Sequence, residues 1–107
     1  MEYFYVYVVE LRPRSYSGKT TKPDVYVGSS ALTPRERFHK HKTEPKGSRH
    51  VRRRGTRLLP HLYEHLNPMR SREEAKSAEQ KLRKQLEARG HRVYGACSAR
   101  EERECWL

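Results

Sequence analysis

The pattern of hydrophobic positions predicts two strands near the beginning of the chain. Tyr3–Leu11 (YFYVYVVEL) is rich in aromatic and β-branched residues, which is typical of a β-strand. Asp24–Ser29 (DVYVGS) has the same character and predicts a second, shorter strand that closes at Gly28. A polar segment with proline, glycine and serine separates them and breaks regular structure. Two strands this close in sequence are expected to pair as an antiparallel hairpin.

A helix is expected directly after the second strand. Thr33 and Glu36 match a Thr-x-x-Glu capping box, and Pro34 suits the first helical position. The helix is therefore predicted to run from Pro34 to about Lys42. A short second helix is predicted around Ser48–Arg54, because a glycine follows it and glycine commonly ends helices.

The longest helix is predicted over Ser71–Gly90, where apolar residues recur at spacings of three and four. Ser71 and Glu74 form a second capping box at its start. Glu79 falls within the apolar stripe, because each helical residue advances by about 100°. A carboxylate on the inward face is costly unless it is paired or binds a metal ion. Glu79 is therefore interpreted either as one half of an ion pair with an arginine or as a metal ligand. The stripe itself consists of Ala75, Ala78, Leu82 and Leu86.

The remaining segments complete a small α/β (α+β) fold. Leu58–Leu66 is compatible with either a strand or a helix, and Pro60 would restrict a strand here to the edge of a sheet. His91–Ala96 is expected to add a last short strand. The predicted architecture is a small three-stranded, mostly antiparallel sheet flanked by helices. We expect one domain over residues 1–96 and a charged C-terminal tail over residues 97–107.

Composition adds an expectation about the partner. Of the 107 residues, 34% are hydrophobic and 35% are charged, so the core must be small. The formal net charge of +11 predicts a polyanionic partner, nucleic acid first and an acidic membrane surface second. The membrane alternative is weaker, because no apolar run approaches the roughly 20 residues of a transmembrane helix. The start of the chain lacks the pattern of a secretory signal, so the expected location is cytoplasmic.

Basic residues are concentrated between positions 35 and 57, where only Glu36 and Glu44 oppose them. A block of this kind is suited to following a phosphate backbone. It should contribute affinity more than sequence selectivity, because phosphate contacts carry little sequence information. The residues predicted to contact nucleic acid are Arg35, Lys40, Lys42, Lys46, Arg49, Arg52, Arg53 and Arg54.

The order of these features resembles the GIY-YIG nuclease family. Two tyrosine-containing strands are followed by a helix with Arg37 and His41 four residues apart, and then by the helix that carries Glu79. Tyr7, in the sequence VYV, matches the first signature loosely and without its glycine. Tyr26, in the sequence YVG, matches the second signature well.

The resemblance covers about residues 3–95 and is strongest to the small stand-alone bacterial members of the family. The segment between the two signatures is longer than usual. Tyr5 competes with Tyr7 for the first signature position, because residues two apart in a strand face the same side.

The resemblance implies a metal-dependent endonuclease that hydrolyses phosphodiester bonds in DNA, single-stranded or structured DNA included. A guanidinium suits a forked contact to phosphate, and a carboxylate oxygen suits Mg²⁺ or Mn²⁺. A tyrosine near the attacking water can accept or relay its proton if its pKa is lowered, and a histidine can accept a proton from that tyrosine or orient it. The implied catalytic residues are Tyr7, Tyr26, Arg37, His41 and Glu79, with Glu79 as the metal ligand.

Two classes without catalysis remain as alternatives. One is a basic nucleic-acid-binding protein that keeps the nuclease fold, and the other is a basic protein of ribonucleoprotein assemblies that prefers RNA. Taken singly, each tyrosine also fits a packing role, and each arginine or histidine fits a surface role. The sequence specifies neither the substrate sequence nor the oligomeric state.

Overall fold

The computed structural model describes residues 3–12, 22–43 and 49–95. The predicted first two strands and all three predicted helices are present, with boundaries that differ by at most two residues. The elements are, in chain order, β1 (Tyr5–Leu11), β2 (Asp24–Ser30), α1 (Pro34–Thr43), α2 (Arg49–Arg54), β3 (Gly55–Leu58), α3 (Arg72–Ala88) and β4 (Val93–Tyr94).

The predicted antiparallel hairpin of β1 and β2 forms the centre of the sheet. Tyr7 pairs with Gly28, and Val9 pairs with Tyr26. Directly paired residues point to the same side of an antiparallel sheet, and successive residues alternate between sides. Tyr7, Gly28 and Tyr26 therefore share one side, which we call the tyrosine face, whereas Ser29 points to the opposite face.

The described part of the sheet has four strands in the order β3-β1-β2-β4, so the prediction of three strands was wrong in number. β3 runs antiparallel to β1, and β4 runs parallel to β2 through Val25 and Tyr26, so the mostly antiparallel character is confirmed. The extra strand is β3. It begins at Gly55, a residue expected only to end the preceding helix, and four residues are too few to give a clear strand pattern.

The segment whose pattern fitted either a strand or a helix forms two turns of 3₁₀ helix, Pro60–Leu62 and Glu64–Leu66. The residue that follows them, Asn67, takes the place of a neighbouring strand. Its side-chain oxygen accepts a hydrogen bond from the Val6 backbone nitrogen at 2.8 Å, and its amide nitrogen donates to the Val6 carbonyl at 2.7 Å. The polar backbone groups at the start of β1 are thereby satisfied without a further strand.

Both predicted helix caps form. The Thr33 hydroxyl accepts a hydrogen bond from the Glu36 backbone nitrogen at 3.3 Å and donates one to the Glu36 carboxylate at 2.7 Å. The Ser71 hydroxyl accepts from the Glu74 backbone nitrogen at 3.1 Å, which fixes the start of α3. Gly90 ends this helix region with φ of 98°, a left-handed conformation that favours glycine.

Helices cover both faces of the sheet, which explains why every residue of β2 is buried. α1 and α2 bury His41 and Val51, and His41 contacts both rings of the tyrosine face. α3 approaches Ser29 on the opposite face, and its predicted stripe supplies the buried residues Ala75, Leu82 and Leu86. Among the helices in the described ranges, none is both long enough and apolar enough to span a membrane.

Candidate active site

The hydroxyl of Tyr7 forms a buried hydrogen bond with the imidazole of His41. The distance from Tyr7 Oη to His41 Nε2 is 2.7 Å, and both residues are at most 1% exposed. Tyr7 belongs to β1 and His41 to the last turn of α1, so this bond links the sheet to the helix. Tyr5 makes no corresponding contact with His41 among the described interactions, and its strand partner is Ser30.

Gly28 provides the space for this arrangement. A Cβ atom at position 28 would lie 2.6 Å from Tyr7 Oη and 3.1 Å from Tyr26 Cε1, both closer than normal contacts. Its φ is not positive, since Gly90 is the only described glycine with positive φ. The glycine of the YVG sequence is therefore required by the close approach of Tyr7, and not by a turn.

Tyr26 extends the cluster into a row of aromatic rings. Its ring centroid lies 6.2 Å from that of Tyr7 and 5.7 Å from that of His41. On its other side it lies 6.4 Å from His50, whose ring is 4.8 Å from Tyr94. Sequence reasoning placed neither Tyr94 nor His50 in this cluster. The signal available for Tyr94 was its position in the expected last strand, which pairs it with Tyr26.

His41 is held in its neutral form. Burial lowers its pKa, and the positive charge of Arg37, one turn earlier on α1, adds to this effect, so that the pKa falls to about 3. Arg37 is itself buried, with 6% of its surface exposed. The predicted pairing of these two residues on one face of α1 is present, and that face is turned towards the sheet.

Glu79 has a different set of partners. Its Oε1 accepts a hydrogen bond from the Ser29 hydroxyl at 2.9 Å, and its Oε2 lies 3.9 Å from Arg83 Nη1. The Glu79 side chain is 15% exposed. Burial raises the pKa of its carboxyl, although the Ser29 hydrogen bond and the positive charges of Arg83 and Lys76 act in the opposite direction. The ion-pair interpretation made from the sequence has a counterpart in Arg83, at a distance of 3.9 Å, and the metal-ligand interpretation stays a prediction.

The structure divides the five expected catalytic residues into two groups. Tyr7, Tyr26, Arg37 and His41 gather on the tyrosine face, beneath α1. Glu79 contacts Ser29, which belongs to the opposite face of β2. The expectation that all five side chains form one cluster is therefore met for four of them, and Glu79 is separated from the phenols by the strand itself.

Glu79 is the candidate ligand for a divalent ion. In the described ranges, no group of three or more His, Cys, Asp and Glu side chains is arranged to hold a metal. A site with a single carboxylate still fits Mg²⁺, which commonly keeps several waters and uses one or two carboxylates together with substrate phosphate oxygens. The oxygen-only donor set of Glu79 and Ser29 also suits this hard cation.

The basic residues predicted to contact nucleic acid differ in solvent exposure and in the hydrogen bonds that they make within the protein. Arg35 and Arg53 are exposed, and Lys40 and Arg52 are half-buried. Lys42 is exposed, but its Nζ donates hydrogen bonds to the carbonyls of Gly55 at 2.9 Å and Arg52 at 3.4 Å. Lys46 lies outside the described residues, and of Arg49 only the backbone is described.

Arg54 has a structural role that its position in the basic block did not reveal. Its guanidinium forms a salt bridge with Asp24, and the two side chains are 15% and 9% exposed. Its Nε also donates to the Arg12 carbonyl at 2.8 Å, and its charged group lies 5.2 Å from the centre of the Tyr94 ring. Because these contacts use the guanidinium inside the protein, Arg54 is poorly placed for the predicted phosphate contact.

Comparison of the chain with protein-family models, with curated proteins and with solved structures gave no match.

Proposed function

We propose that the protein is a metal-dependent endonuclease that hydrolyses phosphodiester bonds in DNA. The observation that carries the proposal is the 2.7 Å hydrogen bond between Tyr7 and a buried, neutral His41. A tyrosine paired with a proton-accepting imidazole, close to an arginine, is suited to activating water beside a phosphate. The sequence resemblance to GIY-YIG nucleases and the net charge of +11 support the same function.

The residues of the tyrosine face have defined roles in this proposal. Tyr7 takes a proton from the attacking water while its own hydroxyl proton moves to His41 Nε2. Arg37 neutralises charge on the phosphate. Before substrate binds, the charge of Arg37 disfavours protonation of His41. Burial is the larger cause of the low pKa of His41, so a bound phosphate, which offsets only the charge of Arg37, would raise that pKa in part.

Glu79 would hold the divalent ion, while the Ser29 hydroxyl fixes the position of its Oε1. Mg²⁺ bound there supplies charge neutralisation and a bound water of lowered pKa. Burial raises the pKa of this carboxyl, and a cation bound beside it would favour the charged form.

The edge of β2 lies between the two groups of residues, and because every residue of β2 is buried, a substrate reaches this edge only when neighbouring segments move. β4 pairs with β2 only at Val25 and Tyr26, so residues 27–30 have no described strand beyond them on that side. A phosphodiester lying along this edge is flanked by Tyr26 on one face of the strand and by Glu79 on the other. The proposal therefore places the substrate across the strand edge and not over one face of the sheet.

A nucleic-acid-binding protein without catalysis is the second candidate, and one observation favours it. Tyr7 and Tyr26 are 0% and 1% exposed, so their hydroxyls are out of reach of a phosphate unless neighbouring segments move. In this alternative the tyrosine face is a hydrogen-bonded core, and binding depends on the exposed basic residues alone.

Cleavage of labelled single-stranded, duplex and branched DNA with Mg²⁺, Mn²⁺ or EDTA tests the proposal. The informative variant is Glu79→Gln, because the glutamine oxygen still accepts from Ser29 while the charge that binds the ion is lost. The matched control is Glu87→Gln, an exposed position on the same helix. We expect Glu79→Gln to bind DNA normally and to lose cleavage, and Glu87→Gln to retain both. Cleavage by Glu79→Gln at the normal rate, or no cleavage by the unmodified protein on any substrate, would contradict the proposal.

A further inference from the structure

A surface cavity of about 330 Å³ lies at the beginning of β1, beside the start of α1. Its volume is at the lower end of the range for small-ligand sites, about 300–1,000 Å³. Its lining is mainly aromatic and aliphatic with a few charged groups, and includes Tyr5, Pro34, Arg35, Leu58, Tyr63 and Glu64. None of the five expected catalytic residues contributes to this lining, so the cavity is separate from the site described above.

A further aromatic residue, Tyr3, lies two positions before the cavity-lining Tyr5 in the sequence. Tyr3 is 40% exposed and is the large hydrophobic residue left exposed in the described ranges. Phe4, between Tyr3 and Tyr5, forms a β-bridge with Met69, so the chain is extended here. In an extended chain, residues two apart point to the same side and are separated by about 6.5–7 Å. Tyr3 and Tyr5 therefore present two rings to the same side, one exposed and one half-buried in the cavity wall.

The chemistry of this surface selects for an unpaired nucleobase. Aromatic rings stack on the flat face of any base. Arg35 is exposed at the cavity wall and can contact the phosphate attached to that base. Glu64 would repel a phosphate inside the cavity, but its carboxylate accepts hydrogen bonds from the amino group of a base. Bases of an intact duplex are stacked and paired, so inserting one costs free energy of unstacking and unpairing that an unpaired strand avoids.

We infer that Tyr3 and Tyr5 form a stacking platform for two adjacent bases of a single strand, with the base on Tyr5 entering the cavity and its phosphate against Arg35. This inference rests on the proposed function and narrows its substrate class to DNA with unpaired bases. Tyr5 precedes Tyr7 by two residues on the same side of β1, so a strand held on the platform runs towards the candidate active site.

Binding measurements in EDTA test the platform separately from catalysis, because no cleavage can occur without the ion. The probes are a fluorescein-labelled twelve-nucleotide oligothymidine and a blunt duplex of the same length, followed by fluorescence anisotropy. The variants are Tyr3→Ala and Tyr5→Leu, with Tyr5→Phe as a control that keeps the ring and Arg35→Gln as a test of the phosphate contact. Circular dichroism establishes that each variant is folded, and a Tyr5→Leu variant that fails to fold is replaced by Tyr3→Ala and Arg35→Gln together.

We expect Tyr3→Ala and Tyr5→Leu each to weaken oligothymidine binding by about tenfold, in keeping with loss of one base–aromatic stack. Tyr5→Phe should bind oligothymidine normally. The affinity for the duplex should change by less than about twofold in Tyr3→Ala, Tyr5→Leu and Tyr5→Phe. An abasic nucleotide in the oligomer should weaken binding by the unmodified protein but not by Tyr5→Leu.

Unchanged oligothymidine binding in Tyr3→Ala and Tyr5→Leu, or an equal loss on the duplex, would overturn the platform. No cleavage by the unmodified protein on any substrate, together with the expected losses of oligothymidine binding in Tyr3→Ala and Tyr5→Leu, would instead remove the catalytic proposal and leave the platform in place. The two proposals therefore fail through different measurements.

Discussion

The hydroxyl of Tyr7 occupies the space that a side chain at Gly28 would need. The two residues are directly paired across β1 and β2, and a Cβ at position 28 would come within 2.6 Å of Tyr7 Oη. The glycine allows the phenol to lie flat against the neighbouring strand and to reach His41. One small residue on β2 thus determines the position of a functional group on β1.

Gly28→Ala is expected to destabilise the protein by about 1–3 kcal/mol, because the added methyl group must displace a buried ring in a packed interior. Urea unfolding gives the free energy. In the Tyr7→Ala background the obstructing ring is absent, so Gly28→Ala should lower the free energy of unfolding by clearly less. If Gly28→Ala costs the same in both backgrounds, Tyr7 is not the reason for the glycine.

Tyr7→Phe and Tyr5→Phe form a matched pair on the same side of β1. Tyr7→Phe removes the hydrogen bond to His41 and should cost about 1–2 kcal/mol of unfolding free energy. Under the proposed function it also loses cleavage. Tyr5→Phe should be normal in both measurements, since no described hydrogen bond depends on its hydroxyl. The reverse pattern in the cleavage assay would assign the first signature position to Tyr5.

Stability should decrease as the pH falls below about 6.5, the normal pKa of histidine. His41 has a pKa of about 3 in the folded protein, so between these values only the unfolded chain takes up the proton. Its contribution is therefore fully present above pH 6.5 and is lost on acidification, with a slope that approaches about 1.4 kcal/mol per pH unit.

The comparison of the unmodified protein with His41→Gln isolates this contribution from those of other groups. Urea unfolding between pH 4 and 7 should show a smaller dependence on pH in the variant. In the folded protein, the NMR signals of the His41 ring should not shift between pH 5 and 8. A His41 signal that titrates near pH 6.5 would contradict the buried, neutral assignment.

Arg53 and Arg54 are neighbours in sequence, but their substitutions should differ in effect. Substitution of Arg54 should lower stability, whereas substitution of Arg53 should weaken nucleic-acid binding. Arg54→Ala leaves the carboxylate of Asp24 buried without its guanidinium and should cost about 3 kcal/mol or more in stability. Arg53→Ala removes an exposed side chain and should change stability by less than about 0.5 kcal/mol.

Nucleic-acid binding at several salt concentrations completes the comparison of the two arginines. Arg53→Ala should reduce the slope of log affinity against log salt by about one, because one phosphate contact is lost. Stability loss in Arg53→Ala, or an intact fold with a reduced salt slope in Arg54→Ala, would reverse these assignments.

The local features of the fold were predictable, because they depend on residues close in sequence. The caps at Thr33 and Ser71, the hairpin strands and the apolar stripe of α3 all follow from short-range patterns. β3 was less accessible, since four residues carry too little periodicity, whereas the last strand was expected within His91–Ala96 and is found at Val93–Tyr94. Their assignment to strands depends on neighbours that are distant in sequence.

The position of Glu79 shows why the candidate site was only partly predictable. Helical periodicity places Glu79 near the inward stripe of α3, and the structure agrees. Periodicity does not predict which face of the sheet the helix covers. Because α3 covers the face opposite to the tyrosine face, Glu79 is separated from Tyr7. The same reasoning applies to Arg54, because a run of charged residues does not identify the one that meets Asp24.

The sheet cannot be completed early in synthesis. Residues 5–58 supply β1, β2 and β3, but the strand that covers Val25 and Tyr26 comes from residues 93 and 94. A growing chain on the ribosome therefore exposes this edge until residues 59–94 have also been translated, and α3 lies among them. The ring of Tyr94 is added to the aromatic row last, so the complete cluster exists only once the carboxyl-terminal half of the domain has emerged and docked.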